Sequence, residues 1–288
     1  MHGVPHGLRA SRATQRERPT MLARDVLEHF LSNSPWVDPA NTVDKIIVGD
    51  PDLDADRCTV CWIPSTRNLR RAAEMGVKLF VTHEPTFWNH NDDRPGNTPA
   101  SRDKLAMITE LGMTVLRLHD TWDRWDEIGI PFAWAKHLGL YGDGSGVTRG
   151  GDGYLLRCDV EPLTLGQLAG HVAAACEPFG EGIVQLTGDP EMVVSKVGAG
   201  TGCGCDLNGY YELGCDCGIV CDDGSCYWAG IQNAEDIGFG VIRVNHGTSE
   251  EAGMITLADY ITRALDVTAT YLPTGCVFQL VGPEANTQ

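Results

Sequence analysis

Residues 57–85, RCTVCWIPSTRNLRRAAEMGVKLFVTHEP, decide the fold. Residues 57–63 are a short run of β-formers bounded by Pro64, which reads as a strand. Ser65 then offers a helix cap, residues 66–75 are mostly helix formers, and Gly76 supplies the stop. Residues 77–82, VKLFVT, form a largely apolar run suited to a strand covered on both faces. A strand, a helix and a strand in so short a span imply a parallel pair joined by a crossover helix, so the chain is α/β. His83 and Glu84 stand directly after the second strand. Open α/β sheets bind their ligands at that place, outside the carboxyl ends of the strands.

The same pattern extends in both directions. Before it lie a helical stretch at 21–33 and a strand at 42–50 that runs into a Gly-Asp-Pro turn. After it come a helix at 101–111, stopped by Gly112, and a strand at 113–118 with His119 immediately beyond. Residues 128–140 read as a helix with Pro131 in its first turn, and the glycine-rich residues 142–153 read as a link. Further on, strands are expected at 154–160, 183–187, 192–197, 219–221, 240–244 and 268–272, and helices at 164–176, 228–237 and 256–265. His246 again follows a strand directly.

The expectation is a mostly parallel sheet flanked by helices, in two interlinked lobes. Residues 21–153 carry candidate ligands, residues 154–240 form a companion lobe, and residues 241–288 return to the site. Residues 1–20 differ: Arg9, Arg12, Arg16 and Arg18 face only Glu17, with no apolar core of a signal peptide, so they read as a disordered basic leader and the chain as cytoplasmic.

Composition narrows the function. The chain has 288 residues, 22 basic against 39 acidic, a net charge of −17. That balance argues against nucleic acid or an anionic membrane as a partner. It would repel anionic substrates unless bound metal ions offset it. Eleven cysteines, six of them between Cys203 and Cys226, are an odd number without a secretory signal, which argues against a disulfide framework. The pairs Cys203-x-Cys205 and Cys215-x-Cys217 lack the C-x2-C spacing of zinc ribbons and read better as packing residues.

The chemistry lies in three short clusters. His83-Glu84 are adjacent; His119 and Asp123, like His246 and Glu250, are four residues apart, which is one helical turn. Imidazole with carboxylate suits Zn, Mn, Fe or Ni, and a carboxylate such as Glu250 or Asp123 can bridge two ions roughly 3.5–4 Å apart. A lone histidine after a strand is usually structural. Three of them, each with a carboxylate within four residues, point to a site for two divalent transition-metal ions. Trp88, Trp122 and Trp125 lie beside these clusters and could line a pocket for a flat substrate. His29, His137 and His171 fall on helices and read as structural, and His90 and Asp126 are weaker site candidates.

At these residues the chain resembles the Nif-three-like dinuclear metal-centre family, some of whose members are described as GTP cyclohydrolase type 2-like. VDKIIVGDPD, RNLRRAAEMGVKLFVTHEPTFW, LHDTWD, KVGAGTG and VNHGTSEEAGMITLADYI carry the resemblance in order from Met21 to about Leu280. The resemblance implies that His83, Glu84, Asp123, His246 and Glu250 hold the metals, with Glu250 bridging. It assigns His83 and His246 to one ion, Glu84 and Asp123 to the other, and places His119 beside them. It implies a dinuclear-metal hydrolase that uses a metal-bound hydroxide on a small, heterocyclic or nucleotide-like substrate, assembled as a toroidal homo-hexamer. The rival expectation is a non-catalytic metal-binding regulator, carrier or scaffold. Two departures stand out. The family has two adjacent histidines where this chain has His83-Glu84, which implies harder ions such as Mn, Fe or Mg, or loss of one site. In CGIVCDDGSCY, residues 217–227, Cys221-Asp222 takes the place of a Gly-Asp turn; Asp222 is the expected acid or base, and Cys226 an extra ligand or nucleophile.

Overall fold

The computed structural model describes residues 21–92, 98–142 and 146–279. The basic leader expected over residues 1–20 lies outside them. The chain opens with helix α1 (Ala23–Ser32) and strand β1 (Lys45–Val48). The deciding segment follows as β2 (Arg57–Cys61), α2 (Thr66–Glu74) and β3 (Leu79–Thr82), with the Ser65 side chain accepting the N–H of Asn68 as the cap. Next come α3 (Pro99–Glu110), β4 (Thr114–Arg117), the single turn α4 (Asp120–Asp123) and α5 (Ile130–His137). These strands form a sheet ordered β1-β4-β3-β2, with β11 (Thr268–Tyr271) added at the far edge. The joins β4–β3, β3–β2 and β2–β11 are parallel; only β1 runs antiparallel.

The second sheet is built from β5 (Val147–Gly150), β6 (Leu155–Thr164), β7 (Gln185–Thr187), β8 (Val193–Ala199), β9 (Cys217–Cys221) and β10 (Gly240–Val244), ordered β5-β6-β8-β9-β10-β7. Helices α6 (Leu165–Cys176), α7 (Leu207–Glu212) and α8 (Gln232–Ile237) belong to this half. Here the expectation of mostly parallel pairing needs correction. Only β8–β9 and β9–β10 are parallel, while β5–β6, β6–β8 and β10–β7 are antiparallel. The chain is a mixed α/β protein with two helix-flanked sheets. β5 arises inside the stretch expected to be a link, where it pairs with β6 as the outer hairpin arm.

Helix α9 (His246–Leu265) joins the halves: β10 of the second sheet feeds its first residue, and its last turn leads into β11 of the first. One face packs on the core of the first sheet through Met254, Leu257 and Ile261. That core also holds the wholly buried Trp122, whose indole N–H donates to the Gly253 carbonyl at 2.9 Å, and Phe30 edge-on to it. A separate apolar core fills the second sheet. No helix among the described residues is long and apolar enough to cross a membrane.

Candidate metal centre

The carboxyl ends of strands from both sheets meet at one place. β3 delivers His83 and Glu84, whose backbone N–H groups both reach the Trp62 carbonyl just past β2. β4 delivers His119 at the start of α4, and α4 turns Asp123 back beneath it. That turn is held by the Asp44 carboxylate, which accepts the N–H of His119 at 2.9 Å and of Asp120 at 2.7 Å. β10 delivers His246, and one turn of α9 brings Glu250 onto the same face.

Six side chains close into a ring in which imidazole and carboxylate alternate. Asp123 spans two histidines, 3.4 Å from His119 Nδ1 and 3.3 Å from His83 Nε2. Glu250 Oε2 lies 3.5 Å from His83 Nε2 and 3.1 Å from His246 Nε2. Glu84 Oε1 closes the circuit, 3.4 Å from His246 Nε2 and 3.8 Å from His119 Nε2. His83 and His119 stack at 4.4 Å between ring centres. Ligands about 2.1 Å from a tetrahedral ion stand roughly 3.4 Å apart, so these spacings are of the size a coordinated cation requires. The spacings run from 3.1 to 3.8 Å around the ring, and Glu250 stands between His83 and His246.

Two features show that the ring suits a cation. His83 is fully buried, and its Nδ1 donates to the Leu118 carbonyl at 3.1 Å. Its Nε2 has no hydrogen-bond partner yet faces two carboxylates, the position of a ligating nitrogen whose other ring nitrogen is held in place. The second is Gly202, at φ +49°, where a Cβ would sit 2.4 Å from Glu250 Oε1 and 2.5 Å from His246 Nε2. Only glycine lets the backbone lie against the ring there.

Without metal, the ring holds protons. Burial alone would lower the His83 pKa, but Glu250, Asp123 and Glu84 raise it to about 9. His246 is likewise raised against its burial, by Glu250 first and Glu84 next. Burial would raise Glu84, but the His246 contact and the nearby imidazoles bring it down to about 2. The buried Arg117 adds support: its Nη2 is 3.8 Å from Glu84, and its Nε donates to the His83 carbonyl at 2.8 Å.

The pattern that defines Duf34/NIF3 (NGG1p interacting factor 3) matches residues 24–274, the whole of this frame. The chain belongs to that family. Among curated proteins none matches it. Solved structures of similar fold include protein ybgI, of unknown function, at 19% identity and a TM-score of 0.72, covering 88% of this chain and 98% of that one. The Staphylococcus aureus hypothetical protein SA1388 gives 14% identity and a TM-score of 0.74 over 91% and 100% of the two chains. Reduced HcgD from Methanocaldococcus jannaschii gives 18% and 0.66 over 89% and 99%. At such identities the likeness establishes the fold alone.

In this Duf34/NIF3 chain five of the six ring residues, all but the buried His83, line a cavity of about 750 Å³, shared with Trp62, Trp88, Tyr154 and Cys203. His90 also lines it, but Asp126 instead pairs with Arg149 at the surface. Trp88 reaches the cavity 56% exposed, with Lys104 Nζ 4.6 Å from its ring centre. Trp122 and Trp125 do not reach it; they pack with Phe30 and Tyr260. His29, His137 and His171 bond to Tyr260 and to the carbonyls of Ala175 and Leu138, as structural residues do.

Asp222 departs from its expected place as an acid or base facing the metals. Its Oδ1 accepts the His246 backbone N–H at 2.6 Å at the start of α9, and it does not line the cavity beside the ring. The next residue, Asp223, reaches the cavity and accepts from His246 Nδ1 at 2.8 Å. Sequence reading missed Asp223, Arg117, Asp44 and Trp62, whose indole N–H donates to Glu250 Oε2 at 2.7 Å. Among the described residues no group of three potential ligands includes Cys205, Cys215 or Cys217, so the C-x-C pairs do not converge.

Proposed function

We propose that the chain is a metal-dependent hydrolase with a dinuclear centre, acting on a small heterocyclic or nucleotide-like substrate. The observation that carries this reading is the buried, unpartnered Nε2 of His83, facing Asp123 and Glu250 within the closed ring. His83 and Asp123 would hold one ion, His246 and Glu84 the other, and Glu250 would bridge. Two divalent ions there would lower the pKa of a water and polarise the substrate. Zn, Mn, Fe and Ni all accept such ligands.

The chain's own groups have distinct tasks. Asp223 holds the His246 ring, and Trp62 fixes the bridging carboxylate by its indole N–H. His119, at the cavity wall with Nδ1 2.8 Å from Asp120, is placed to carry a proton between substrate and solvent. The open cavity beside the ring leaves room for water and substrate, which favours catalysis over a closed storage site. Trp88 offers a flat face to a planar substrate.

Elemental analysis is the test. Two ions per wild-type chain are expected, and fewer than one in Glu250→Ala, since that change removes the shared ligand. A wild-type chain with one ion or none would overturn the dinuclear reading. Two firmly bound ions without turnover of any cyclic amide, nucleotide or phosphoester would instead leave a metal carrier.

A further inference from the structure

Cys203 stands on the wall of the same cavity, one residue after the glycine that lies against His246 and Glu250. Its sulfur, a carboxylate oxygen of Asp223 and a ring nitrogen of His246 all lie within 4.8 Å of one another. The position is fixed from behind. The Gly202 N–H donates to Ser249 Oγ at 3.2 Å, and that hydroxyl donates to the His246 carbonyl at 2.6 Å, so the turn is tied to the first turn of α9. The unpartnered, wholly buried Nε2 of His83 faces the same Glu250 oxygen as His246, which is the carboxylate shared by the two sides of the ring.

We propose that Cys203 supplies a thiolate ligand to the ion on the Glu84–His246–Glu250 side, which makes the centre chemically asymmetric. The thiol gives its proton to solvent as the sulfur–metal bond forms, with no change of oxidation state. Asp223 stays on His246 Nδ1, where it orients the ring. The side around Asp123 keeps only imidazole and carboxylate ligands and tolerates hard ions. The sulfur side selects Zn, Fe or Co against Mn and Mg, opposing the preference that Glu84 alone would impose. Cysteine in the loop thus offsets the carboxylate that stands where the family resemblance implies a second histidine.

The inference rests on the dinuclear reading, and one experiment separates the two. The metal-free full chain is titrated with Co(II), desalted, and analysed for bound cobalt and for near-ultraviolet absorption. Two cobalt ions per chain with a thiolate-to-cobalt charge-transfer band are expected. Cys203→Ser should keep both ions and lose the band, and Cys226→Ser, the other exposed cysteine, should keep it. Two bound ions without a band, or a band that survives in Cys203→Ser, would overturn the assignment while leaving the dinuclear reading intact. No bound cobalt would overturn both. Should the serine variant fail to fold, alkylation of the wild type decides: cobalt protecting Cys203 but not Cys226 supports the ligand, and equal labelling of both overturns it.

Discussion

His83 concentrates the chemistry of the ring in one nitrogen. Protons and metal compete for it, and the two responses to pH have opposite signs. In the metal-free protein its pKa rises from the ordinary 6.5 to about 9 because Glu250 and Asp123 outweigh burial. A raised folded-state pKa stabilises the fold fully below the unfolded value and loses that contribution as pH rises through the folded one. Metal-free protein should therefore lose stability between about pH 6.5 and 9, by on the order of 3 kcal/mol at most. Metal affinity should climb over the same window, because binding must displace the proton. Urea unfolding of metal-free and loaded protein across that range checks both signs; a flat metal-free curve would refute the assignment. His83, Glu84, His119 and His246 were legible in the sequence because each lies within two residues of a strand's carboxyl end. Asp223 was not: adjacent residues leave a strand end in opposite directions, and nothing local says which of Asp222 and Asp223 turns inward. Arg117 reads as an ordinary strand residue until Glu84 is seen beside it.

Among the elements, α9 was half legible. Its later turns carry ordinary helical periodicity, but the helix begins at His246, ten residues before the expected start at 256. Gly247, Thr248, Ser249 and Gly253 are poor helix formers, so intrinsic propensity concealed the first turns. Packing explains the glycines. A Cβ at Gly247 would lie 2.7 Å from the Trp62 ring, and one at Gly253 would lie 2.4 Å from Ile130 Cδ1 and 3.1 Å from its Cα. Gly253→Ala gains about 1 kcal/mol of helix propensity, but the overpacking costs about 1–3 kcal/mol. A net loss of about 1 kcal/mol is expected in the denaturant midpoint of the loaded protein; a gain would mean that α5 yields freely. The antiparallel strands of the second sheet were hidden for another reason. Strand direction is a property of the partner, and β5, with exposed Thr148 and Arg149, shows no buried face to read.

For the whole molecule, the ring is a clasp between regions far apart in sequence. His83, Glu84, His119 and Asp123 come from the first sheet, while His246 and Glu250 sit on the helix that leaves the second. Metal that binds only this closed arrangement adds about 2.7 kcal/mol at a hundred times its dissociation constant. For a chain of 288 residues that is roughly 5 °C in Tm, lost on chelation. A Tm that ignores chelator would mean that the two halves hold each other without help from the site.

The late arrival of α9 and β11 also has a meaning during synthesis. β2 pairs with β11 across more than two hundred residues of sequence, so that edge of the first sheet stays open until residues 268–271 have been made. Such distant pairing is slow to form. A nascent or truncated chain that stops before Glu250 has one half of the clasp and cannot close it. Closing the ring therefore waits on residues that are made long after His83 and Glu84.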